Sequence, residues 1–175
     1  MSRIEIINDE IFKIGKYEFI KFVYGNGNII GVLKDNLGDM RFGNTNDFSK
    51  SDILKKLNKE FLPQIEEIVG AENVLEFETD LTSLDGSKKH GTIKSKVSLP
   101  TFDFYRNNRA TFAKYNLYDW WWLATPHTTS GYVNDWLVSC VSPRGGVDFY
   151  CYSYYCIGVR PFLTFVSSIF DSLLK

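Results

Sequence analysis

The sequence predicts an α+β fold in a single domain, with N-terminal antiparallel hairpins, two to three short helices and a C-terminal twisted antiparallel sheet. Three observations support this class: apolar alternation in the N-terminal part, helical spacing after residue 49, and strand-like segments throughout the last third. A chain of 175 residues is of single-domain size and can bury a hydrophobic core. The sections expected within this one domain (1–175) are a β meander over 1–48, helices over 49–70, mixed structure over 71–117 with a mobile loop at 80–91, an aromatic sheet over 118–165 and a tail over 166–175.

The N-terminal hairpins are predicted from alternation and from turn residues. Residues 16–24 alternate as a strand, and residues 29–34 return as its partner. The connection at 25–28 contains only Gly and Asn, which tolerate positive φ. A second turn at 36–39 leads into a short strand at 40–42.

A helical segment follows the meander. Ser49 and Ser51 are both candidates for its N-cap, and Asp52 places an acid in the first turn. Pro63 is expected to end this helix at residue 62, and a second short helix is expected to stop at Gly70. The apolar residues that recur at helical spacing are Ile53, Leu54, Leu57 and Phe61.

Later segments alternate between strand and helix. A helix is expected over 101–114, with its aromatic residues directed inward (Phe102, Phe104, Tyr105 and Phe112). Strands are expected at 72–79, 92–97, 121–124, 132–141, 147–154 and 158–165.

Charge and composition narrow the possible classes of protein and its location in the cell. The formal net charge of −1 disfavours a general nucleic-acid coat. We expect a cytoplasmic protein of a bacterial host. The first residues are charged and do not resemble a signal peptide, and the apolar runs are too short to cross a membrane.

The three cysteines, Cys140, Cys151 and Cys156, are expected to be reduced, buried thiols, with a Cys140–Cys151 bridge as an alternative. No metal or other cofactor is expected.

The aromatic residues are concentrated in the last third, where all four tryptophans lie. Strand alternation directs Trp121 away from Trp120 and Trp122, so at least one tryptophan is expected in the core. The same alternation places four residues on one face of the strand at 147–154, namely Asp148, Tyr150, Tyr152 and Tyr154. The opposite face is expected to be core-like: Val147, Phe149, Cys151 and Ser153. Exposed tyrosines favour partner binding, whereas tyrosines packed on a neighbouring strand would stabilise the sheet.

Two motifs carry a resemblance to a known family. Trp121-Trp122-Leu123 and Gly158-Val159-Arg160-Pro161 resemble the ending of an uncharacterised bacterial and phage family, whose members close with a WWLRSP-like segment and a GVRP-like strand. That family is similar in outline to C-type-lectin-like folds, which include formylglycine-generating enzymes and phage tropism proteins. The resemblance implies that the strand containing the second motif is a buried central strand. The residues expected to be structural are Trp121, Trp122, Gly158, Arg160 and Pro161.

The resemblance also implies where a partner would bind. In the tropism proteins the residues between the two motifs form the variable ligand-binding face. The corresponding partner-binding residues here are Trp136, Arg144, Asp148, Tyr150, Tyr152, Tyr154 and Tyr155. The chain lacks the Glu-Pro-Asn or Gln-Pro-Asp loop of calcium-dependent lectins and the cysteine motif of the copper-binding enzymes, so neither metal chemistry is carried over.

Three functions follow from these observations. The first is a non-catalytic protein-interaction module that binds a protein partner through the aromatic C-terminal face. The second is a phage-encoded inhibitor of a host defence system, similar to anti-CRISPR proteins, which occludes a Cas nuclease or its guide RNA. Its nucleic-acid contacts would be Lys88, Lys89, Lys94 and Lys96. The third is a hydrolase or nuclease that uses His127 or His90, although no complete catalytic motif occurs and no catalytic residue is assigned.

Overall fold

Antiparallel strands dominate the structure, a computed structural model that describes residues 4–23, 26–129 and 135–171, the side chain of Cys151 excepted. The predicted α+β class is confirmed. The strands of the described residues are β1 (Ile4–Asn8), β2 (Ile11–Ile14), β3 (Tyr17–Val23), β4 (Ile29–Leu33), β5 (Asp39–Arg41), β6 (Val74–Leu75), β7 (Phe77–Asp80), β8 (Thr92–Ser95), β9 (Val97–Ser98), β10 (Trp121–Pro126), β11 (Leu137–Val141), β12 (Val147–Cys151), β13 (Cys156–Gly158) and β14 (Phe162–Phe165).

Short helices connect these strands. They are α1 (Asp52–Lys56), α2 (Leu62–Val69), α3 (Phe102–Asn107), α4 (Arg109–Lys114) and α5 (Ser168–Asp171), with a π-helical turn at Leu57–Phe61 and 3-10 turns at Phe48–Lys50 and Ala71–Asn73. No helix in the described ranges is long and apolar enough to cross a membrane. Residue 25 of the first predicted turn, residues 132–134 of the predicted strand at 132–141, and residues 172–175 of the tail lie outside the described residues.

The strands of the described residues form two larger sheets and one hairpin. The N-terminal sheet has the order β1-β2-β3-β4-β14-β6, and β9 also pairs with β14. The C-terminal sheet has the order β12-β11-β10-β13-β5, in which only the β10–β13 pair is parallel. Strands β7 and β8 form the hairpin. Strand β14, the last described strand, therefore belongs to the N-terminal sheet, while β10 to β13 build most of the C-terminal sheet.

The helical segment continues across Pro63, so the predicted helix end at residue 62 is wrong. Helix α1 leads directly into the π-helical turn and then into α2. In that turn the N–H of Leu62 donates to the carbonyl of Leu57, five residues earlier. Because a proline ring clashes with the carbonyl four residues before it in an α-helix, the wider turn accommodates Pro63 at the start of α2. The predicted end at Gly70 is confirmed, with φ of 89°.

Strands β2, β3 and β4 of the N-terminal sheet bury residues on both faces, because the register directs neighbouring residues to different cores. Phe12 lies opposite Phe19, and their rings stack with centroids 5.2 Å apart. Gly31 faces these rings, and a Cβ at this position would lie 2.7 Å from Phe12 Cζ. Ile11 and Ile20, one residue along each strand, pack into the second core. A glycine in the middle of β4 is therefore required by the packing of the phenylalanines.

The consecutive tryptophans of β10 also divide between the two cores. Trp122 is fully buried in the first core, and Trp121 is 1% exposed in the second. The indole N–H of Trp122 donates to the carbonyl of Met40 at 2.9 Å. The alternation that the sequence predicted is thus present, and both tryptophans are structural.

Candidate functional site

Four aromatic side chains near the ends of β10 and β12 form a continuous series of ring contacts, which we call the aromatic ladder (Trp120, Tyr150, Tyr155 and Tyr154). The ring centroids of Trp120 and Tyr150 are 4.7 Å apart, and those of Tyr150 and Tyr155 are 4.5 Å apart in a stacked arrangement. Tyr154 adjoins Tyr155 at 6.5 Å. Exposure rises along the series, since Trp120 and Tyr150 are half-buried, Tyr155 is 49% exposed and Tyr154 is 85% exposed.

Strand register and a turn bring these rings together. Tyr150 lies opposite the buried Val138 of β11, which directs its ring to the same face as Trp120. After β12 the chain turns, and the N–H of Gly43 donates to the carbonyl of Tyr152 at 3.2 Å. This turn carries Tyr155 back over Tyr150 before β13 begins at Cys156. The ladder therefore depends on long-range pairing and not on the tyrosine spacing alone.

The other predicted partner-binding residues are distributed along the β11–β12 hairpin. Trp136 is 45% exposed, and its carbonyl accepts from the N–H of Tyr152, which places Trp136 across from a residue two positions beyond Tyr150 at the same end of the β11–β12 hairpin. Tyr152 is half-buried, and Asp148 is exposed with its carboxylate bonded to the N–H of Phe149. Arg144 is exposed in the turn at the opposite end of β12, which is about 14 Å long. The predicted residues thus do not form one patch, and Arg144 lies apart.

The predicted core-like face of β12 is wrong at Val147 and Phe149. These side chains are 39% and 43% exposed. Because β12 is the terminal strand of the C-terminal sheet, its outer side lacks a neighbouring strand among the described residues. The ring of His127 packs against Phe149 with centroids 4.4 Å apart. The side chain of Cys151, assigned to the same face, lies outside the described part of the structure.

A second concentration of polar groups surrounds His90. Its Nε2 lies 3.0 Å from Asn46 Oδ1, and its Nδ1 lies 3.9 Å from Asp47 Oδ2. Asn46 donates through Nδ2 to the carbonyl of Thr128 at 2.7 Å, which leaves its Oδ1 to accept from a proton on His90 Nε2. Asn46 and Asp47 are 4% and 5% exposed, and the His90 side chain is 13% exposed.

The same group of contacts holds the loop that precedes His90. The carboxylate of Asp85 accepts hydrogen bonds from the hydroxyls of Ser83 and Thr128. The hydroxyl of Thr129 donates to that of Ser87. The segment expected to be a mobile loop is therefore fastened to the end of β10 by side-chain hydrogen bonds. We call this cluster the polar network (Asn46, Asp47, Ser83, Asp85, Ser87, His90, Thr128 and Thr129).

Charge within the polar network is set by burial and by close partners. Burial tends to raise the pKa of Asp47, but hydrogen bonds from Ser49 and Lys50 outweigh it, so this pKa lies below its usual value. Burial lowers the pKa of His90. The negative charge of Asp47 opposes this shift, and the positive charges of Lys89 and Lys50 add to it. Asp47 is thus charged at neutral pH and His90 is neutral.

This geometry does not reproduce a nucleophilic catalytic arrangement. The hydroxyl of Ser49 donates to Asp47 at 2.6 Å, so the carboxylate lies between the hydroxyl and His90. A nucleophile would instead have to contact the imidazole. His127 precedes Thr128, which brings the two histidines to one region, but His127 Nδ1 is buried without a hydrogen-bond partner.

The four lysines assigned to nucleic-acid contact do not form one set of free charges. Lys96 Nζ lies 2.8 Å from Glu66 Oε1 and also donates to the carbonyl of Ala71. Lys94 pairs with Glu78 at 3.8 Å. Lys88 and Lys89 are exposed on the loop that the polar network holds. Acidic neighbours therefore offset two of the four charges.

The residues expected to be structural are buried. Arg160 donates to the carbonyls of Leu33 and Lys34 at 2.9 and 2.8 Å, and its guanidinium lies 4.8 Å from the ring centroid of Trp121. Burial lowers the pKa of Arg160 to about 10, so the side chain stays charged at neutral pH. The side chain of Asn36 occupies the space that a Cβ at Gly158 would need. Pro161 is buried, and its carbonyl accepts from the N–H of Leu33.

The cysteines differ from one another. Cys140 is a buried free thiol opposite Asp148 in the β11–β12 register, so the Cys140–Cys151 bridge is excluded. Burial raises the pKa of the Cys140 thiol, which makes it unreactive. Cys156 is exposed, contrary to the prediction that it is buried. In the described ranges, no group of three or more His, Cys, Asp or Glu side chains is placed to hold a metal ion.

Comparison of the chain with protein-family models, with curated proteins and with solved structures finds no match. The site must therefore be interpreted from its own geometry. The predicted partner-binding residues include Tyr150, Tyr154 and Tyr155 of the aromatic ladder but not Trp120, and the sequence did not point to Asn46 and Asp47 of the polar network, which lie far from His90 along the chain. A buried Asn-Asp pair before a helix has no local signal that distinguishes it from an ordinary cap.

Proposed function

We propose that this chain is a non-catalytic interaction module that binds a protein partner through the exposed end of the aromatic ladder and Trp136. The observation that carries the proposal is the stacking of exposed Tyr155 on half-buried Tyr150. Stacking on Tyr150 limits the side-chain freedom of Tyr155, so less entropy is lost when a partner covers that ring. Tyrosine and tryptophan are also the residues that contribute most strongly to interface hot spots.

The family resemblance supports the same proposal. We infer a C-type-lectin-like fold, in which the GVRP-like strand is central and buried. Strand β14 follows Arg160 and Pro161, lies between β4 and β6, and packs Leu163 and Phe165 into the first core. In phage tropism proteins the residues between the tryptophan segment and this strand form the ligand-binding face, and Tyr150, Tyr154 and Tyr155 of the aromatic ladder lie in that segment here.

An inhibitor of a host defence nuclease would be one form of this function. The pairing of Lys94 with Glu78 and of Lys96 with Glu66 favours a protein contact over competition for guide RNA. The partner of such an inhibitor would then be the nuclease complex itself, bound through the aromatic ladder.

Affinity capture from a bacterial lysate tests this proposal. We expect the wild-type chain to retain a protein partner after RNase treatment, and the Tyr154→Ala/Tyr155→Ala variant to lose it by tenfold or more. The matched control is Ile7→Ala/Val23→Ala, which removes side chains that are 49% and 66% exposed on the N-terminal sheet.

Circular dichroism and thermal unfolding would verify that both variants fold. Equal retention by the wild type and the tyrosine variant would contradict the proposal. Loss of the retained material upon RNase treatment would instead point to a nucleic-acid partner.

A further inference from the structure

Strand β12 presents unpaired backbone groups at the open edge of the C-terminal sheet. The N–H of Tyr152 donates to the carbonyl of Trp136 at 3.1 Å, and the N–H of Ser142 donates to the carbonyl of Gly146 at 2.8 Å. In an antiparallel pair the hydrogen-bonded residues alternate. Residues 146, 148, 150 and 152 therefore bond to β11, while the N–H and C=O groups of Val147, Phe149 and Cys151 point outward.

The described part of the structure leaves this edge uncovered. Strand β12 is terminal in its sheet, and the side chains of Val147 and Phe149 are exposed beside the free backbone groups. The N–H of Phe149 donates only to the neighbouring carboxylate of Asp148, at 2.8 Å. Edge strands are normally protected by several charged side chains, by proline, by a bulge or by a covering segment, because a free edge pairs readily with another strand. Within β12 the one charged residue is Asp148.

We propose that β12 pairs with β12 of a second copy of this chain, in an antiparallel two-fold arrangement centred on Phe149. This inference is independent of the proposed function. It joins two C-terminal sheets into one continuous sheet across the dimer axis, and the outward groups of each β12 supply the hydrogen bonds.

The residues of β12 favour a two-fold axis at Phe149 over an axis one residue away in either direction. A two-fold axis at Asp148 would place two carboxylates directly opposite each other, which is unfavourable. An axis at Tyr150 would pair Asp148 with Tyr152, which lies beyond the end of β12. An axis at Phe149 uses all five residues of the strand.

The central register also matches side chains on both faces. It places Phe149 opposite Phe149 of the second copy, and aromatic cross-strand pairs are favourable. It places each Asp148 opposite Tyr150 of the second copy, whose hydroxyl can donate to the carboxylate. Pairing requires that the N–H of Phe149 leave its own Asp148 and donate to the carbonyl of the second Phe149.

The contact is small, so the expected association is weak. Stable dimers bury about 800 Å² on each partner, whereas two five-residue strands bury much less. We therefore expect a concentration-dependent equilibrium with a Kd of roughly 0.1 to 1 mM.

Analytical ultracentrifugation of the full chain, from about 10 µM to about 2 mM, tests the proposal with two variants of one residue. Phe149→Pro removes the outward N–H without loss of a bond to β11, which is the position where an edge strand tolerates proline. Phe149→Ala keeps the N–H and removes only the ring. We expect wild-type dimers at the upper concentrations, a weakened dimer for Phe149→Ala, and an association at least tenfold weaker than wild type for Phe149→Pro.

Two further variants keep the outcomes distinct. If Phe149→Pro does not fold, Val147→Pro removes the outward N–H near the start of the strand instead and is expected to weaken association in the same way. Tyr154→Ala/Tyr155→Ala is expected to dimerise as the wild type does, which separates this inference from the proposed function. A wild-type chain that stays monomeric throughout the range, or proline variants that fold and associate normally, would overturn the proposal.

Discussion

Arg160 is a buried cation that connects the two sheets. It is 1% exposed, and its donors reach the carbonyls of Leu33 and Lys34 at the end of β4. Its guanidinium also faces the ring of Trp121 in β10. Planar geometry allows one side chain to make both kinds of contact, since arginine bonds in a fixed fork and stacks on aromatic faces. The residue is therefore a joint between the sheets and not part of the binding surface.

Replacement of Arg160 by lysine is expected to lower the free energy of unfolding by about 2 to 4 kcal/mol. The ammonium group cannot satisfy both carbonyls while it lies on the Trp121 ring, so at least one buried acceptor loses its partner. Urea denaturation monitored by tryptophan fluorescence measures the change. Arg41→Lys is the matched control, because Arg41 is 44% exposed in its pair with Asp52. Equal stabilities for the two variants would contradict this role.

At the scale of the element, the structure decides which of two candidate serines caps the first α-helix. Ser49 and Ser51 are both suitable caps by residue type. The structure uses Ser51, whose hydroxyl accepts from the N–H of Leu54 at 3.0 Å and donates to the carbonyl of Phe48. Ser49 bonds to Asp47, which caps the preceding 3-10 turn. The choice depends on that extra turn, which spacing alone does not predict.

Ser51→Ala is expected to cost about 1 to 2 kcal/mol of stability, because a buried cap loses both hydrogen bonds. Ser49→Ala is expected to cost less, about 1 kcal/mol or below, because its exposed hydroxyl caps no α-helix and Asp47 keeps its bonds to the N–H of Ser49 and to Lys50. Chemical denaturation of the two variants gives the comparison. A larger loss for Ser49→Ala than for Ser51→Ala would contradict the assignment of Ser51 as the more important cap.

At the scale of the whole molecule, the polar network joins three segments that are distant in sequence. His90 closes the β7–β8 connection, Asn46 and Asp47 precede the helices, and Thr128 follows β10. Because the ring of His90 is held neutral in a mostly buried position, protonation is coupled to the folding of all three segments. The network therefore makes stability depend on pH.

The direction of that dependence follows from the lowered pKa of His90. Unfolded histidine has a pKa of about 6.5, so acidification below that value protonates the unfolded chain first and stabilises it. The free energy of unfolding is expected to be highest above about pH 6.5 and to fall as the pH drops towards the lower folded pKa. Denaturation at several pH values between about 7.5 and 5 measures this loss.

His90→Gln provides the comparison for the pH series. This variant can still bond to Asn46 but has no proton to gain, so its stability is expected to vary less over the same range. Parallel curves for the wild type and the variant would show that His90 does not cause the dependence. At still lower pH both proteins are expected to lose stability, as Asp47 becomes protonated below its usual pKa.

Much of the fold could be predicted, but only part of the candidate site. The helix at 101–114 divides at Asn108 into α3 and α4 yet keeps Tyr105 and Phe112 buried, because helical spacing marks the inward face. The face of β12 was predicted incorrectly, since alternation separates two faces but does not tell which one a neighbour covers. The tyrosines were found by composition, whereas Asn46 and Asp47 belong to a site assembled only by folding.

The sequence by itself determined the α+β class, most strand and helix positions, and the division of Trp121 and Trp122 between opposite faces. These features are local, because side-chain periodicity and turn residues act within a few positions. Only the tertiary structure decided that β12 is an edge strand, that Tyr155 stacks on Tyr150, and that His90 meets Asn46 and Asp47. Those features depend on the pairing order of distant strands, which no local pattern encodes.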